Sequence, residues 1–412
     1  MLKPRTLEIR LIDQRVGWLA ERDGRYGVRF NQSWRDRPDR RVFSLSVENT
    51  GLADLRPTPH LPSWFENLAF EGEMRRWITT SEPELGTDDM SFLARIGEDL
   101  IGAVTLHPAE DEVPLAAPVE VAERADRAPR GGIRWSLAGV QLKLNLASRG
   151  TRFALPVHGE LGHFIAKFAD QRYRGVPVNE HATMRWASAS GVRCAETSLI
   201  DVDRIDELPT SMRRSGEPAL LVRRFDRQEH QRIHVEEFAQ VLGLRPREKY
   251  DRYGWAHHLR ILAQVAPQDI SQYLRRLLFV FASGNADAHH KNWSLIYPDG
   301  RQACLAPAYD QVSVVEWLGE DADLKDLLTY KVAGSKRWES LRLPSVLHLL
   351  EKSEIRAFED EGEVIEASRF GPWLRGQLTR IQDSLPTALE HASPNYGPAI
   401  ERHWARTPLL RG

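Results

Sequence analysis

Short runs in which apolar and polar residues alternate occupy the first hundred positions. Val28-Arg29-Phe30 and Val42-Phe43-Ser44-Leu45-Ser46-Val47 read as strands between turn formers. From about Ser63 to Trp77 the apolar spacing becomes helical, Ser91 to Gly97 reads as a short amphipathic helix, and Leu100 to Val104 as an apolar strand. A small α+β domain over residues 1–107 is the expectation. Residues 108–130 carry Pro108, Pro114, Pro118 and Pro129 among alanines and charges with no sustained period, as a linker does. Residues 131–227 predict mostly strands, including Leu144 to Ala147, Gly162 to Lys167 and Ala219 to Val222. One helix, from about Asn179 to Ser190, interrupts them and stops at Gly191. Residues 228–412 turn helical, with segments near Glu236 to Leu242, Trp255 to Val265, Ser271 to Ala282 and Pro344 to Lys352. The pattern is therefore a strand-rich lobe followed by a helical lobe, behind a small extra domain.

The chain has 412 residues, 42% hydrophobic and 28% charged, enough for two or three packed units and unlike a disordered or fibrous protein. Its formal charge of −2, from 56 basic and 58 acidic side chains, provides no global field for nucleic acid or anionic membrane. DNA binding would have to be local or supplied by a partner. Cys194 and Cys304 are too few for a disulfide framework or a zinc cluster, which suits a reducing compartment. Met1 to Arg5 runs into mixed charge without a signal-peptide pattern, and no run reaches the ~18 apolar residues of a membrane span. These features predict a soluble, cytoplasmic protein with no membrane partner.

The densest chemistry lies in Gly284-Asn285-Ala286-Asp287-Ala288-His289-His290-Lys291-Asn292, between an apolar helix and the strand-like Trp293 to Tyr297. An aspartate and an asparagine five positions apart match the Asp-x-x-x-x-Asn catalytic loop of phosphoryl transfer. The acid takes the acceptor hydroxyl's proton and the amide oxygen holds a metal. Asp287 is the candidate base and Asn292 a metal ligand, with His289 and Lys291 placed to orient the base or to neutralise charge on the phosphoryl group. After a turn at Tyr297-Pro298-Asp299-Gly300, the run Leu305-Ala306-Pro307-Ala308-Tyr309-Asp310 ends on a second candidate metal ligand, Asp310. Lys167, ending the alternation from His163, can clamp phosphates if an acid orients it. Glu180 on the next helix is placed to do so. Ser136-Leu137-Ala138-Gly139-Val140-Gln141-Leu142-Lys143 offers backbone N–H groups for phosphate oxygens, without a Gly-x-Gly-x-x-Gly or Walker pattern. The expected fold is α+β: a two-lobed protein-kinase-like fold with a strand-rich N-lobe, a helical C-lobe and an additional small N-terminal α+β domain.

Taken together, these segments resemble the HipA family of bacterial toxin kinases over nearly the whole chain. The correspondence runs through Ser136 to Lys143, His163 to Lys167, Asn179-Glu180, Leu221 to Arg227, the loop at Asp287 and Pro307 to Asp310. In the N-terminal domain it includes Pro62 to Leu68 and Ile96 to Ala103. Where the family usually has Leu-Pro-Glu-Gly, this chain reads Ala69-Phe70-Glu71-Gly72. His290 and Gln311 stand where relatives more often carry small or apolar residues. The resemblance implies a serine/threonine protein kinase toxin that transfers the ATP γ-phosphoryl group to a translation-related protein substrate, with Mg2+ as its metal. It also implies autophosphorylation at Ser136 and a HipB-like helix-turn-helix antitoxin through which DNA is reached indirectly. Nucleotide would meet Ala138, Gly139, Val140, Gln141, Leu142, Lys143, Lys167, Glu180, His289, His290, Lys291 and Asn292. Adenine would lie near Tyr309 and the backbone of Arg223, Arg224 and Phe225.

Two other readings use the same residues. Kinase-like folds with this Asp, Asn and Asp also phosphorylate small molecules, and a nucleotide-switched co-repressor bound to a DNA-binding antitoxin would need no catalysis. The intact set Lys167, Asp287, Asn292 and Asp310 argues for an enzyme. Structural roles compete at each position: a lone Asp-x-x-x-x-Asn is common, His289 can simply pin its loop, and a serine before a tight turn is often a cap.

Overall fold

A computed structural model describes residues 6–69, 88–109, 113–116, 142–157, 160–169, 174–208, 216–229, 231–318 and 328–411, with the single positions 75, 80 and 213. The chain forms two compact units. One comprises residues 1–140, 226–249 and 296–301, the other residues 141–225, 250–295 and 302–412.

The first unit is built on an antiparallel sheet of β1 (Thr6–Leu11), β2 (Gln14–Arg22), β3 (Arg25–Phe30), β4 (Leu55–Thr58) and β5 (Val104–Pro108), in the order β4-β3-β2-β1-β5. Its two-residue side-chain period puts Leu7, Ile9 and Leu11 on one wholly buried face. An aromatic cluster of Phe30, Trp34, Phe43, Trp64 and Phe65 fills the core, with the Phe43 and Trp64 rings 4.5 Å apart. The helix Asp89–Ile96 begins where Asp88 accepts the Ser91 N–H, as a polar N-cap should.

Three predicted elements of this unit change for identifiable reasons. Val42 to Val47 is not a strand but a loop leading into the single helical turn Leu45–Glu48. The buried Glu236 carboxylate captures the Leu45 N–H at 3.0 Å, and also accepts from Trp64 Nε1 and the Tyr297 hydroxyl. The strand expected at Leu100 to Val104 starts only at Val104, because Gly102 takes φ +78° and gives its N–H to Asp226 at 2.7 Å. The helix expected from Glu236 starts at Phe238 instead. His234–Glu237 is a strand, and the Gln240 side chain caps the helix by accepting the Glu237 N–H. The helix predicted from Ser63 is described as Ser63–Glu66; most of 70–77 lies outside the described residues.

The second unit opens on a five-stranded antiparallel sheet of β6 (Lys143–Arg149), β7 (Arg152–Ala154), β8 (Phe164–Lys167), β9 (Thr197–Ile200) and β10 (Ala219–Arg223), ordered β7-β6-β8-β10-β9. The helix Val176–Ala189 packs on it, burying Met184 against Leu220 and Val222. It starts three residues before the predicted Asn179, since Pro177 suits a first helical turn. Gly191 follows its end at φ +90°, as expected of a C′ glycine. The helices Trp255–Val265, Ile270–Ala282, Leu343–Lys352, Phe370–Asp383 and Tyr396–Arg406 complete the unit. Ile270–Ala282 is buried along almost its whole length, and Trp186 packs on its Phe279 at 4.9 Å.

Several histidines are packed as neutral rings. Burial pulls His234 and His403 down to about 4, although each ring meets a backbone carbonyl, of Phe43 and Phe281 respectively. It pulls His290 down to about 3. Unfolded histidines titrate near ~6.5, so below that pH the unfolded chain binds protons that the folded chain refuses. The stabilisation from these rings is complete above pH ~6.5. It is lost as pH falls toward the folded values, at about 1.4 kcal/mol per pH unit for each histidine. Thermal melts should therefore show a steep drop in melting temperature from pH 7 to pH 5. A flat profile would mean the rings are charged in the folded state.

Candidate active site

All the described candidate residues of phosphoryl transfer belong to the second unit. Register assembles its first half. Lys143 on β6 pairs directly with Lys167 on β8, and Leu220 on β10 faces Lys167 from the other side. Directly opposed lysines on one face repel each other and need an anion between them. Asp310 supplies one, with a carboxylate oxygen 2.6 Å from Lys167 Nζ and the other 3.9 Å from Lys143 Nζ. Glu180, from the helix packed on the same face, is 2.5 Å from Lys167 Nζ.

Electrostatics follow from this crowding. Burial disfavours the Lys167 ammonium, but Asp310 and Glu180 outweigh it and hold the group above the usual lysine range. Burial likewise opposes the charge on Asp310. Lys143 and Lys167 overcome it and keep the carboxylate well below its usual range. Glu180, only 1% exposed, is pushed upward by burial against the pull of Lys167. The arrangement interleaves two lysines with two acids.

Asp310 sits at φ +56°, a left-handed backbone that aspartate tolerates better than most residues. The strand before it, Cys304–Leu305, ends five residues earlier, so no strand pairing holds Asp310. The segment is held from outside instead. Ala195 N–H donates to Ala308 O at 2.8 Å. The Asn179 side chain brackets Ser313, accepting its N–H at 2.9 Å and donating to its carbonyl at 3.0 Å. Asn179 thus ties the helix carrying Glu180 to the chain just beyond Asp310.

The second half of the site is the loop launched by Ile270–Ala282. That helix closes with Gly284 at φ +63°. The Asn285 N–H returns to Val280 O at 3.1 Å and the Gly284 N–H to Phe281 O at 3.4 Å, the paired bonds of a Schellman ending. A Cβ on Gly284 would stand 2.4 Å from Val315 Cγ1, so the turn requires glycine for space as well as for dihedral. Asp287 follows, 6% exposed. Its N–H donates to Asn285 Oδ1 and its carbonyl accepts from Asn292 Nδ2, both at 3.0 Å. The acid and amide five positions apart therefore close one ring of contacts. The Tyr250 hydroxyl donates to Asp287 Oδ1 in a short hydrogen bond.

Around this ring, buried His289 lies edge-on to Tyr250 with centroids 5.1 Å apart, and close enough to Asp310 to help hold its charge. Lys291 gives its carbonyl to the Tyr309 hydroxyl, which also bonds Ser294 Oγ. The Tyr309 ring faces Phe225 at 5.7 Å. Beneath them Arg276, 1% exposed, lies 4.2 Å over the Trp293 ring and donates to the Asn292 carbonyl. Burial lowers this guanidinium to about 10, leaving it charged at neutral pH.

Some expected nucleotide contacts are placed differently. His290 turns its imidazole into the core, 2.6 Å from His258 and stacked on Tyr330 at 4.4 Å, with no exposed surface. The N–H groups of Arg223 and Arg224 are committed to Glu196 O and His163 O, so neither is a donor for adenine. Ser136, Ala138, Gly139, Val140 and Gln141 lie outside the described residues, while Leu142 accepts the Phe168 N–H. Tyr250, Arg276 and the bracket made by Asn179 were not anticipated. For Arg276 a signal existed, a charge set between Tyr273 and Phe279-Val280 in a largely apolar helix; Tyr250 gives none.

Among known proteins, residues 7–107 match the model of the HipA N-terminal domain, and residues 135–369 that of the HipA-like C-terminal domain. The chain is 35% identical to the putative kinase Y4dM of Sinorhizobium fredii, over 85% of this chain and 88% of that one. It is 26% identical to the serine/threonine-protein kinase toxin HipA of Shewanella oneidensis, over 76% of each. The fold is shared with the HipA chain solved in complex with HipB and operator DNA from Shewanella oneidensis, at a TM-score of 0.70 and 21% identity, covering 98% of this chain and 96% of that one. The α+β architecture is thus kinase-like, and with both domain models matched in order along the sequence, this chain belongs to the HipA family.

Proposed function

We propose that the chain is an ATP-dependent serine/threonine protein kinase acting as the toxin of a toxin–antitoxin module. The observation that carries this reading is the contact of Lys167 with both Glu180 and Asp310, in the same unit as a ring-closed Asp287–Asn292 loop. Phosphoryl transfer is mostly positioning and charge neutralisation, and these are the groups it requires. Asp287 would accept the acceptor hydroxyl's proton. Lys143 and Lys167 would hold phosphate oxygens, with His289 and Lys291 offsetting charge that grows on the phosphoryl group. Phe225 and Tyr309 would flank adenine.

Asn292 and Asp310 offer one amide and one carboxylate as hard oxygen donors. That fits Mg2+, which takes one or two protein ligands and completes its shell with water and substrate phosphates. Bound there, the ion would neutralise phosphate charge. The relative solved with HipB and operator DNA supports a HipB-like, DNA-binding antitoxin as partner here. Among the described residues no helix is long and apolar enough to cross a membrane.

Autophosphorylation at Ser136 is part of the proposal. A phosphate there adds about −1.5 to −2 charges to the candidate phosphate loop and would repel nucleotide. Intact-mass and peptide analysis after incubation with MgATP tests both points on wild type, Asp287→Asn and Ser136→Ala. One added phosphate on Ser136, missing from both variants, is the expected result. Bound ATP with no phosphate on any residue would count against self-modification and turn the search to other acceptors.

A further inference from the structure

We infer that Tyr250 is the positioning residue of the candidate base, setting the rotation of the Asp287 carboxylate for the incoming hydroxyl. The inference rests on the kinase reading above. Asn285 and Asn292 hold the backbone of Asp287 from both sides, through its N–H and its carbonyl. Those contacts fix where the side chain starts. They do not fix how the carboxylate plane turns about its Cβ–Cγ bond, a broad, two-fold torsion.

The Tyr250 hydroxyl acts on that torsion, because its proton goes to Oδ1. The phenol O–H is the donor and the carboxylate oxygen the acceptor, so the bond holds the acid by a directional contact. Its own aim is fixed by the ring, which rests edge-on against His289 at an interplanar angle of 74°. The contact therefore joins two residues of the loop, Asp287 and His289, to one aromatic side chain that reaches it from 37 positions upstream. A carboxylate oxygen accepts two hydrogen bonds, so the phenol's engagement leaves the group able to take the acceptor's proton.

In the transfer step the acceptor O–H proton passes to the Asp287 carboxylate while the acceptor oxygen bonds to the γ-phosphorus. The bond from phosphorus to the β,γ-bridging oxygen breaks, releasing ADP. Tyr250 keeps its proton throughout. It acts through the Asp287 carboxylate, so its loss should be read in the rate at saturation and not in nucleotide binding.

The test uses the full chain with MgATP, and casein supplied as hydroxyl donor, measuring ADP formed and phosphate incorporated for wild type and Tyr250→Phe. The phenylalanine keeps the ring against His289 and removes only the donor. A maximal rate lower by about 10- to 100-fold is expected, from misaligning a general base. The MgATP concentration for half-saturation should stay within about twofold, and the melting temperature should not move. Tyr250→His, which retains an aromatic N–H donor, should recover part of the lost rate. If the phenylalanine variant matches the wild-type maximal rate, or changes only half-saturation, the assignment to Tyr250 is overturned while the kinase reading stands. Wild type that forms no ADP would overturn both.

Discussion

Asp287→Asn is expected to lower phosphoryl transfer by about 10²- to 10⁴-fold, the range a positioned general base contributes, equivalent to about 3 to 5 kcal/mol of barrier. The substitution is close to isosteric. Its backbone N–H and carbonyl contacts with Asn285 and Asn292 do not involve the side chain, and the Tyr250 hydroxyl can still donate to an amide oxygen. Folding and MgATP affinity should therefore hold while turnover collapses. Single-turnover transfer measured beside nucleotide binding by calorimetry separates the two. A variant that loses binding and rate together would assign Asp287 to the scaffold of the loop and not to its chemistry.

Lys167→Met should have the largest effect on stability, because it removes the cation from between Glu180 and Asp310. Breaking a buried pair by deleting one partner typically costs about 3 to 5 kcal/mol. The pH dependence gives the mechanism away. Burial already pushes Glu180 upward, and without Lys167 nothing at 2.5 Å opposes it. Its folded value then lies above its unfolded one. The variant is most stable when acid enough to protonate Glu180 and loses that stability as pH rises through the folded value. Chemical denaturation from pH 5 to pH 8 should show Lys167→Met falling further behind wild type as pH rises. A constant gap would mean that Glu180 stays charged and is satisfied by other groups. Glu180→Gln placed on Lys167→Met should restore part of the loss.

What could be read from the sequence divides along chain distance. Asp287 and Asn292 share one loop, and Lys167 and Glu180 occupy consecutive elements, so local spacing already implied each pairing. The helix Trp255–Val265 was read with the boundaries it has, since its apolar period is continuous and its ends are marked by Gly254 and Pro267. The errors came from long-range capture. Val42 to Val47 has strand composition, yet Leu45 turns because a glutamate 191 positions away takes its N–H. Asn179 looks like a helix-start residue, and its bracket on Ser313 spans 134 positions. His290 reads as a loop histidine facing phosphates until Tyr330 and His258 claim its ring. Each is a tertiary contact overriding a local preference, and no period within a short window encodes it.

If the site takes a nucleotide as proposed, the register that sets Lys143 opposite Lys167 would also govern how it enters. The two lysines already share the carboxylate of Asp310, so an arriving triphosphate meets a pair of ammoniums whose charge is spoken for. On the proposed reading, entry would be an exchange of one anion for another. Asp310 would have to loosen its hold on the lysines before it could serve a metal, and a metal carried by the nucleotide would supply positive charge that favours this release. Such a site would discriminate by what the ligand carries with it. Bare polyphosphate would only compete with Asp310 for the same two cations, whereas the metal complex offers Asp310 a new partner.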